Sequence, residues 1–250
     1  SEGVIRSRTL RVFGSGESEV ETLLRDRMNA LTNPTLAPYA KEGEVELRIT
    51  AKAATKDEAA ALIAPVETEV RILLGSLVYG ADVTSLEQVV LGQLKEKGLT
   101  LGTAESCTGG LIAKRMTDLP GASAVFRGGV VSYVNDVKRD VLGVPQALLD
   151  EQGAVCADVA EAMARGARRV LGCDLAVSAT GVAGPDSDER GNPVGLVYVA
   201  LAGPEGCWVR KLNLAGPGDR RDRARTLAAS HCFDMVRRYL AGLPVEAAKP

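Results

Sequence analysis

Apolar positions along the chain follow two recurring spacings, and their alternation predicts the elements. Residues Arg8 to Phe13 alternate polar and apolar as a half-buried strand does. Gly14-Ser15-Gly16-Glu17-Ser18 breaks that run, and Val20, Leu23, Leu24 and Met28 then recur at helical spacing. Two glycines are too few to cradle a phosphate, so this segment is expected to be a plain turn with Ser18 capping the helix. A second strand is predicted over Gly43 to Ala53, where Val45, Leu47, Ile49 and Ala51 share one face. The helix predicted from Asp57 to Leu74 contains Pro65, which is expected to kink or split it because proline supplies no N–H to the ladder. Leu77-Val78-Tyr79-Gly80 is expected to close a small α+β unit.

Thr84-Ser85-Leu86-Glu87 has the spacing of a capping box, so a new helix is predicted there, with Leu86, Val89, Val90 and Leu94 on its apolar face and Gly98 as its stop. The unit boundary falls near Ala81 to Val83, giving domains 1–82 and 83–250. Beyond it strands and helices alternate. Strands are predicted at Leu99–Ala104, Val125–Val134, Leu175–Thr180, Val194–Ala202 and Cys207–Leu214. Helices are predicted at Gly110–Thr117, Ala157–Leu171 and Asp219–Leu240, with short helical pieces after Asn135 and Pro145. Alternation implies an α/β sheet covered on both faces, and the last two strands, joined through Gly203-Pro204-Glu205-Gly206, imply an antiparallel hairpin. The fold class is thus α/β: a three-layer α/β/α sandwich with a mixed sheet, plus a small N-terminal α+β domain.

Composition narrows the function classes. A chain of 250 residues exceeds the usual single-domain size, which suits two unequal cores. The formal net charge of −2 gives no global attraction to nucleic acid or anionic lipid, although Arg220, Arg221, Arg223 and Arg225 form a local basic run that suits phosphate. Nucleic acid is therefore not an expected partner. The five cysteines are odd in number, widely spaced and without a C-x-x-C pair, which suits reduced thiols in the cytoplasm. No apolar run approaches a membrane span and no signal pattern opens the chain, so a soluble cytosolic protein without a membrane partner is expected. The single histidine, His231, excludes multi-histidine metal sites, and any Ser-His-Asp triad would have to use it. Its neighbours Leu227, Phe233, Met235 and Val236 assign it to helix packing.

In sheets of this kind ligands sit at the strand ends, where loops meet helix starts. Polar residues collect at four such places: Thr103-Ala104-Glu105-Ser106-Cys107-Thr108-Gly109-Gly110, Ser132-Tyr133-Val134-Asn135 with Lys138, Thr180-Gly181-Val182-Ala183-Gly184-Pro185, and Gly216-Pro217-Gly218-Asp219-Arg220. In the first, Ser106 and Thr108 lie beside backbone N–H groups at a helix start, suited to an anion or a developing oxyanion.

The motifs TAESCTGG at 103–110, SYVNDVK at 132–138, TGVAGP at 180–185 and GDR at 218–220, in this order, resemble the C-terminal domain of the competence/damage-inducible protein CinA. This is the nicotinamide-mononucleotide amidohydrolase family, which also includes the stand-alone enzyme PncC. The resemblance spans about residues 84 to 240. Upstream, FGSGES at 13–18 and the small α+β unit resemble the KH-like linker domain of longer CinA proteins. Those proteins begin with a molybdopterin-binding-like domain linked to ADP-ribose pyrophosphatase activity, and nothing here matches it. The chain is therefore expected either to be a fragment or to lack that activity. Residues 1–80 also contain no G-x-x-G loop, which a nucleic-acid-clamping KH fold needs.

The resemblance implies hydrolysis of the carboxamide of nicotinamide mononucleotide to nicotinate mononucleotide and ammonia, with no metal and no cofactor. It carries Ser106 over as nucleophile, Lys138 as base and Tyr133 as their companion. Candidate substrate contacts are Glu105, Cys107, Thr108, Gly109, Gly110, Asn135, Thr180, Gly181 and Arg220. The N–H groups of Thr108 and Gly109 are the expected oxyanion donors, and Thr180 and Gly181 are expected to shape the nucleotide pocket. The family usually places a second arginine four residues after the one in GDR. That position here is Ala224, flanked by Arg223 and Arg225, so the phosphate arginine is Arg220 or a neighbour. A serine attacking an amide needs a base, and a neutral lysine fills the gap left by histidine. Its pKa would have to fall from about 10.4 to about 7, on the order of 4 kcal/mol of differential interaction. Cys107 has no histidine to partner it as a nucleophile. The competing readings are a non-catalytic interaction module or a nucleotide sensor acting in competence or the DNA-damage response. The expected partners are the small nucleotide substrate and a second copy, since the small unit and the sheet edges offer surfaces for a homodimer.

Overall fold

Strand β1 (Val4–Phe13) is the axis of the first unit. It pairs antiparallel along its whole length with β3 (Glu44–Ala53), from Val4 opposite Ala53 to Phe13 opposite Glu44, and on its other edge with β4 (Val78–Ala81). A computed structural model describes residues 3–217 and 220–246, and it divides into two units, one running to Ser85 and the other beginning at Leu86. In the first, β2 (Thr35–Lys41) pairs outside β3, so the sheet order is β2-β3-β1-β4. Helices α1 (Glu17–Ala30) and α2 (Lys56–Leu74) cover one face, where Leu10, Leu47 and Ile49 meet Val20, Leu24, Ile63 and Val70.

The first unit departs from the expected pattern at three points. Strand β2 was not predicted. It carries Pro38 and buries only Leu36, which an edge strand tolerates because one row of its backbone groups needs no partner. Pro65 neither splits nor ends α2. It sits on the exposed side, where water can serve the carbonyl it frees, while Ile63, Val66 and Val70 hold the helix on the sheet. A capping box from Thr55 and Glu58 starts that helix. Ser18 does not cap α1: the helix begins at Glu17 with Gly16 as its N-cap, and Ser18 already belongs to the first turn.

The second unit is built on a five-stranded mixed sheet of order β6-β5-β7-β8-β9. Strands β5 (Leu101–Glu105), β6 (Phe126–Val131) and β7 (Leu175–Gly181) are parallel; β8 (Leu196–Gly203) and β9 (Gly206–Asn213) form the antiparallel hairpin. Helix α7 (Ala157–Leu171) lies on one face, its Met163 and Ala167 against Ala104 and Ala176, and its Ala160 and Ala164 against Ala200 and Ala202. On the other face α4 (Leu111–Thr117) packs on β5 and β6, α8 (Arg220–Leu240) packs on β7 and β8, and α3 (Leu86–Lys97) packs on both helices. Short helices α5 (Asn135–Asp140) and α6 (Gln146–Gln152) connect β6 to α7. The chain leaves β5 through α4 to one neighbour and returns through α7 to the other. This opens a crevice at the carboxyl ends of the parallel strands.

Helix α3 begins at Leu86, and the Glu87 carboxylate does not reach back as a capping box requires. It pairs instead with the Arg115 guanidinium at 3.1 and 2.9 Å. Gly98 stops α3 in the left-handed conformation, φ +66°, as expected. Of the GDR motif, Gly218 and Asp219 lie outside the described residues. None of the five cysteines is in a disulfide. Among the described residues no helix is long and apolar enough to cross a membrane.

One buried carboxylate organises the end of α8. Asp234, fully buried, accepts from Arg210 of β9 at 2.8 Å, from Arg237 at 2.5 and 3.0 Å, and from Arg238 at 3.1 Å. His231 joins this cluster, its Nδ1 3.1 Å from Arg210, and burial with the nearby guanidinium lowers its pKa to about 4. Removing the carboxylate would leave buried cations uncompensated. Asp234→Asn should therefore destabilise the second unit by about 3–5 kcal/mol. Urea unfolding followed by the fluorescence of Trp208, the single tryptophan and a residue of β9, measures it; a midpoint equal to that of the parent chain would contradict this account.

Candidate active site

The turn after β5 is fixed by a carboxylate beneath it. Glu105, 1% exposed, accepts from the N–H of Ile112 at 2.8 Å and of Ala113 at 3.0 Å, capping the first turn of α4. It acts here as a structural cap below the turn and is not among the residues that line the cleft. Above it, Ser106 donates its N–H to the Ala179 carbonyl of β7 at 2.9 Å, and the Gly109 N–H returns to the Ser106 carbonyl at 3.1 Å. Gly109 and Gly110 take left-handed φ values of +60° and +101°, which the tight return requires.

Lys138 reaches this turn from α5. It is 1% exposed, with Nζ 2.8 Å from Ser106 Oγ, 2.7 Å from the Ser132 carbonyl oxygen and 3.4 Å from the Tyr133 carbonyl oxygen. Burial lowers its pKa from 10.5 to about 8. Carbonyl oxygens only accept, so both claim N–H groups of the amine. A neutral amine has two N–H groups and one lone pair, and once the two carbonyls are served the lone pair is left for the hydroxyl proton of Ser106. The arrangement is that of a hydroxyl facing its base.

These side chains open on a cleft of about 800 Å³ whose walls include Ser106, Cys107, Tyr133, Asn135, Lys138, Thr180, Gly181 and Arg221. Thr180 also donates its hydroxyl to the Ala154 carbonyl at 2.7 Å, and so holds the wall in place. The Cys107 thiol is pushed up to about 12 by burial, which keeps it protonated.

At three points the geometry differs from what the resemblance implies. Tyr133 is 58% exposed, and its hydroxyl lies 3.3 Å from Arg221 Nη2; only its carbonyl oxygen approaches Lys138, because the chain turns outward after β6. The Gly109 N–H is already used within the turn, so of the two expected oxyanion donors only the Thr108 N–H has no backbone acceptor among the described residues. Thr108, Gly109, Gly110 and Arg220 are not in the cleft wall. Of the basic run, Arg221 is in that wall, together with Arg190 from the loop after β7, and Arg221 also donates to the Gly184 carbonyl at 2.5 Å.

Two contributors escaped the sequence reading. The Ser132 carbonyl is a backbone group and carries no residue signature. Arg190 ties the loop after β7 to the end of α6 by donating to the carbonyls of Asp150 at 2.6 Å and Glu151 at 3.0 Å, and one arginine in a polar loop gives no sign of that.

Residues 83–240 match the CinA C-terminal domain, and residues 7–80 match the damage-inducible protein CinA KH domain. A CinA-like protein of Frankia casuarinae is 50% identical over 244 residues, which cover 96% of this chain and 55% of that protein. A CinA-like protein of Desulfovibrio desulfuricans is 48% identical over 244 residues, 98% of this chain and 57% of that protein. The chain thus spans a little over half the length of these curated relatives. Among solved structures, the competence/damage inducible protein CihA from Agrobacterium tumefaciens is 37% identical with a TM-score of 0.59, over 62% of this chain and 93% of that one. A CinA superfamily protein from Klebsiella pneumoniae is 29% identical with a TM-score of 0.60, over 63% and 96%. With its two units matched in order to two domains of one family, this chain belongs to the CinA family.

Proposed function

We propose that the second unit hydrolyses the carboxamide of nicotinamide mononucleotide to nicotinate mononucleotide and ammonia, with Ser106 as nucleophile and Lys138 as base. The observation that carries this reading is the buried Ser106–Lys138 pair, with Lys138 also donating to the Ser132 carbonyl. Ser106 Oγ attacks the carboxamide carbon while its proton passes to Lys138 Nζ. The carbonyl π electrons move onto oxygen, and the Thr108 N–H, which has no backbone acceptor among the described residues, donates to that charge. When the tetrahedral adduct collapses, Lys138 returns the proton to the departing nitrogen, which leaves as ammonia. Water, deprotonated in turn by Lys138, attacks the acyl ester and frees the carboxylate and the Ser106 hydroxyl. The guanidinium of Arg221, at the mouth of the cleft, suits the phosphate of a nucleotide.

Ammonia release from nicotinamide mononucleotide by the metal-free protein tests the reading directly. Ser106→Ala should lower kcat by roughly 10,000-fold or more. Wild-type turnover in that variant would overturn it.

The lowered pKa of Lys138 fixes two pH dependences. Activity needs the neutral amine, so kcat/KM should rise with pH and level off above an apparent pKa of about 8, a rise that Lys138→Met abolishes along with roughly 100- to 10,000-fold of the rate. A pH-independent profile between 6 and 9 on these scales would argue against a lysine base. Stability follows the same group. The folded chain holds this proton less tightly than an unfolded lysine does, so between about pH 8 and 10.5 the unfolded state binds more protons and stability rises with pH. The penalty, about 3 kcal/mol, is fully present below pH 8 and gone above 10.5. Urea midpoints of wild type and Lys138→Met across that range should converge as this penalty disappears.

A further inference from the structure

The proposed mechanism leaves one well-placed cation unused. Arg225, half-buried on α8, donates from Nε to the Cys107 carbonyl at 3.2 Å and from Nη2 to the Thr108 carbonyl at 3.0 Å. A Cβ on Gly109 would lie 3.6 Å from Nη2, so the guanidinium lies directly against the turn. Two successive carbonyls of the nucleophile turn therefore converge on one cation.

That convergence sets the direction of the intervening N–H groups. Across a trans peptide the C=O and N–H point opposite ways. Drawing the Cys107 carbonyl toward α8 turns the Thr108 N–H away from α8. Drawing the Thr108 carbonyl the same way turns the Gly109 N–H away as well, and that group meets the Ser106 carbonyl at 3.1 Å. Neighbouring carbonyl dipoles aimed at one point repel each other unless a cation lies between them. The Leu111 N–H also holds the Thr108 carbonyl, at 3.1 Å, so without Arg225 it is the Cys107–Thr108 peptide that would rotate to relieve the repulsion and carry the Thr108 N–H with it.

We propose that Arg225 is a positioning residue for the amide hydrolysis: it holds the Cys107–Thr108 peptide so that the Thr108 N–H faces the oxyanion formed at Ser106, without touching substrate. This inference rests on the amidohydrolase reading and gives a task to an arginine that the sequence left among four candidates for phosphate.

The experiment compares wild type, Arg225→Met and Arg225→Lys in two assays. The first is steady-state hydrolysis of nicotinamide mononucleotide. Arg225→Met should lower kcat by about 10- to 100-fold, somewhat less than outright loss of an oxyanion donor, and leave KM within about twofold. The apparent pKa near 8 should not move, because Lys138 keeps its partners. Arg225→Lys should recover part of kcat, since an ammonium can donate to both carbonyls. A phosphate-binding role would instead raise KM. The second assay needs no nicotinamide substrate: the rate at which Ser106 Oγ displaces fluoride from a small alkyl fluorophosphonate, read by mass spectrometry on protein confirmed as folded by circular dichroism. Slower labelling in Arg225→Met with partial rescue in Arg225→Lys supports the proposal. Wild-type labelling and kcat in folded Arg225→Met, or no labelling of Ser106 in the wild-type protein, overturns it. If wild type labels in an Arg225-dependent way yet leaves nicotinamide mononucleotide intact, the substrate assignment falls and the positioning role stands.

Discussion

The second unit is organised around a lysine amine taken out of water. Lys138 Nζ has two carbonyl oxygens and one hydroxyl around it and almost no solvent, an environment that satisfies a neutral amine and strains an ammonium. Each element of the site serves that condition. Strand β6 ends where the Ser132 and Tyr133 carbonyls turn inward, α5 is only long enough to bring Lys138 back over them, and β5 delivers Ser106 from the adjacent strand. The bond from the Ser106 N–H to Ala179 then locks the nucleophile turn to the third parallel strand. The turn and the short helix that carry the pair are consequently anchored at the ends of three neighbouring strands, which gives the rigidity a preorganised site requires.

Close packing around the sheet depends on residues with no side chain. A Cβ at Gly102 would come within 2.8 Å of both Leu171 and Cys173, and one at Gly181 within 2.8 Å of the Val197 backbone. Gly166 of α7 lies against the Leu142 carbonyl with no room for a methyl group, and Gly129 lies against the Thr103 hydroxyl in the same way. These approaches bring α7 and the connection after α5 down onto the strands, and so hold the strand ends that carry the site at a fixed spacing. Asp234 does the corresponding work at the far end of α8, where a single carboxylate holds three guanidinium groups.

Much of this was legible in the sequence because it is written in side-chain periodicity. The alternating faces of β3 and the stop at Gly98 follow from spacing alone, and the five strands and the helices of the second unit lie where alternation predicts them. Ser106 and Lys138 were singled out for a different reason: their motifs at strand ends resemble those of the family, and the structure brings the two side chains together. What was not legible depended on direction. Nothing in the sequence says that the Glu105 carboxylate points down to cap α4, that the Tyr133 ring turns outward to Arg221, or that Arg225 and not Arg220 reaches the nucleophile turn. Strand β2 and the continuous α2 were missed because proline is read locally as a breaker, whereas its cost depends on whether the orphaned carbonyl faces water.

A pKa near 8 also has a logic for a lysine base that works near neutrality. At pH 7 an amine of that pKa is neutral in about a tenth of the molecules, against fewer than about one in a thousand for an ordinary lysine. Deeper burial would enlarge the neutral fraction at most tenfold further. It would also weaken the amine as a proton acceptor and add to the free energy already lost by desolvating it, so the gain diminishes as the cost to folding grows. The Ser132 and Tyr133 carbonyls contribute direction to this balance, because each takes an N–H of the amine. Burial thus sets how often the amine is neutral, and the two carbonyls aim its lone pair at Ser106 when it is.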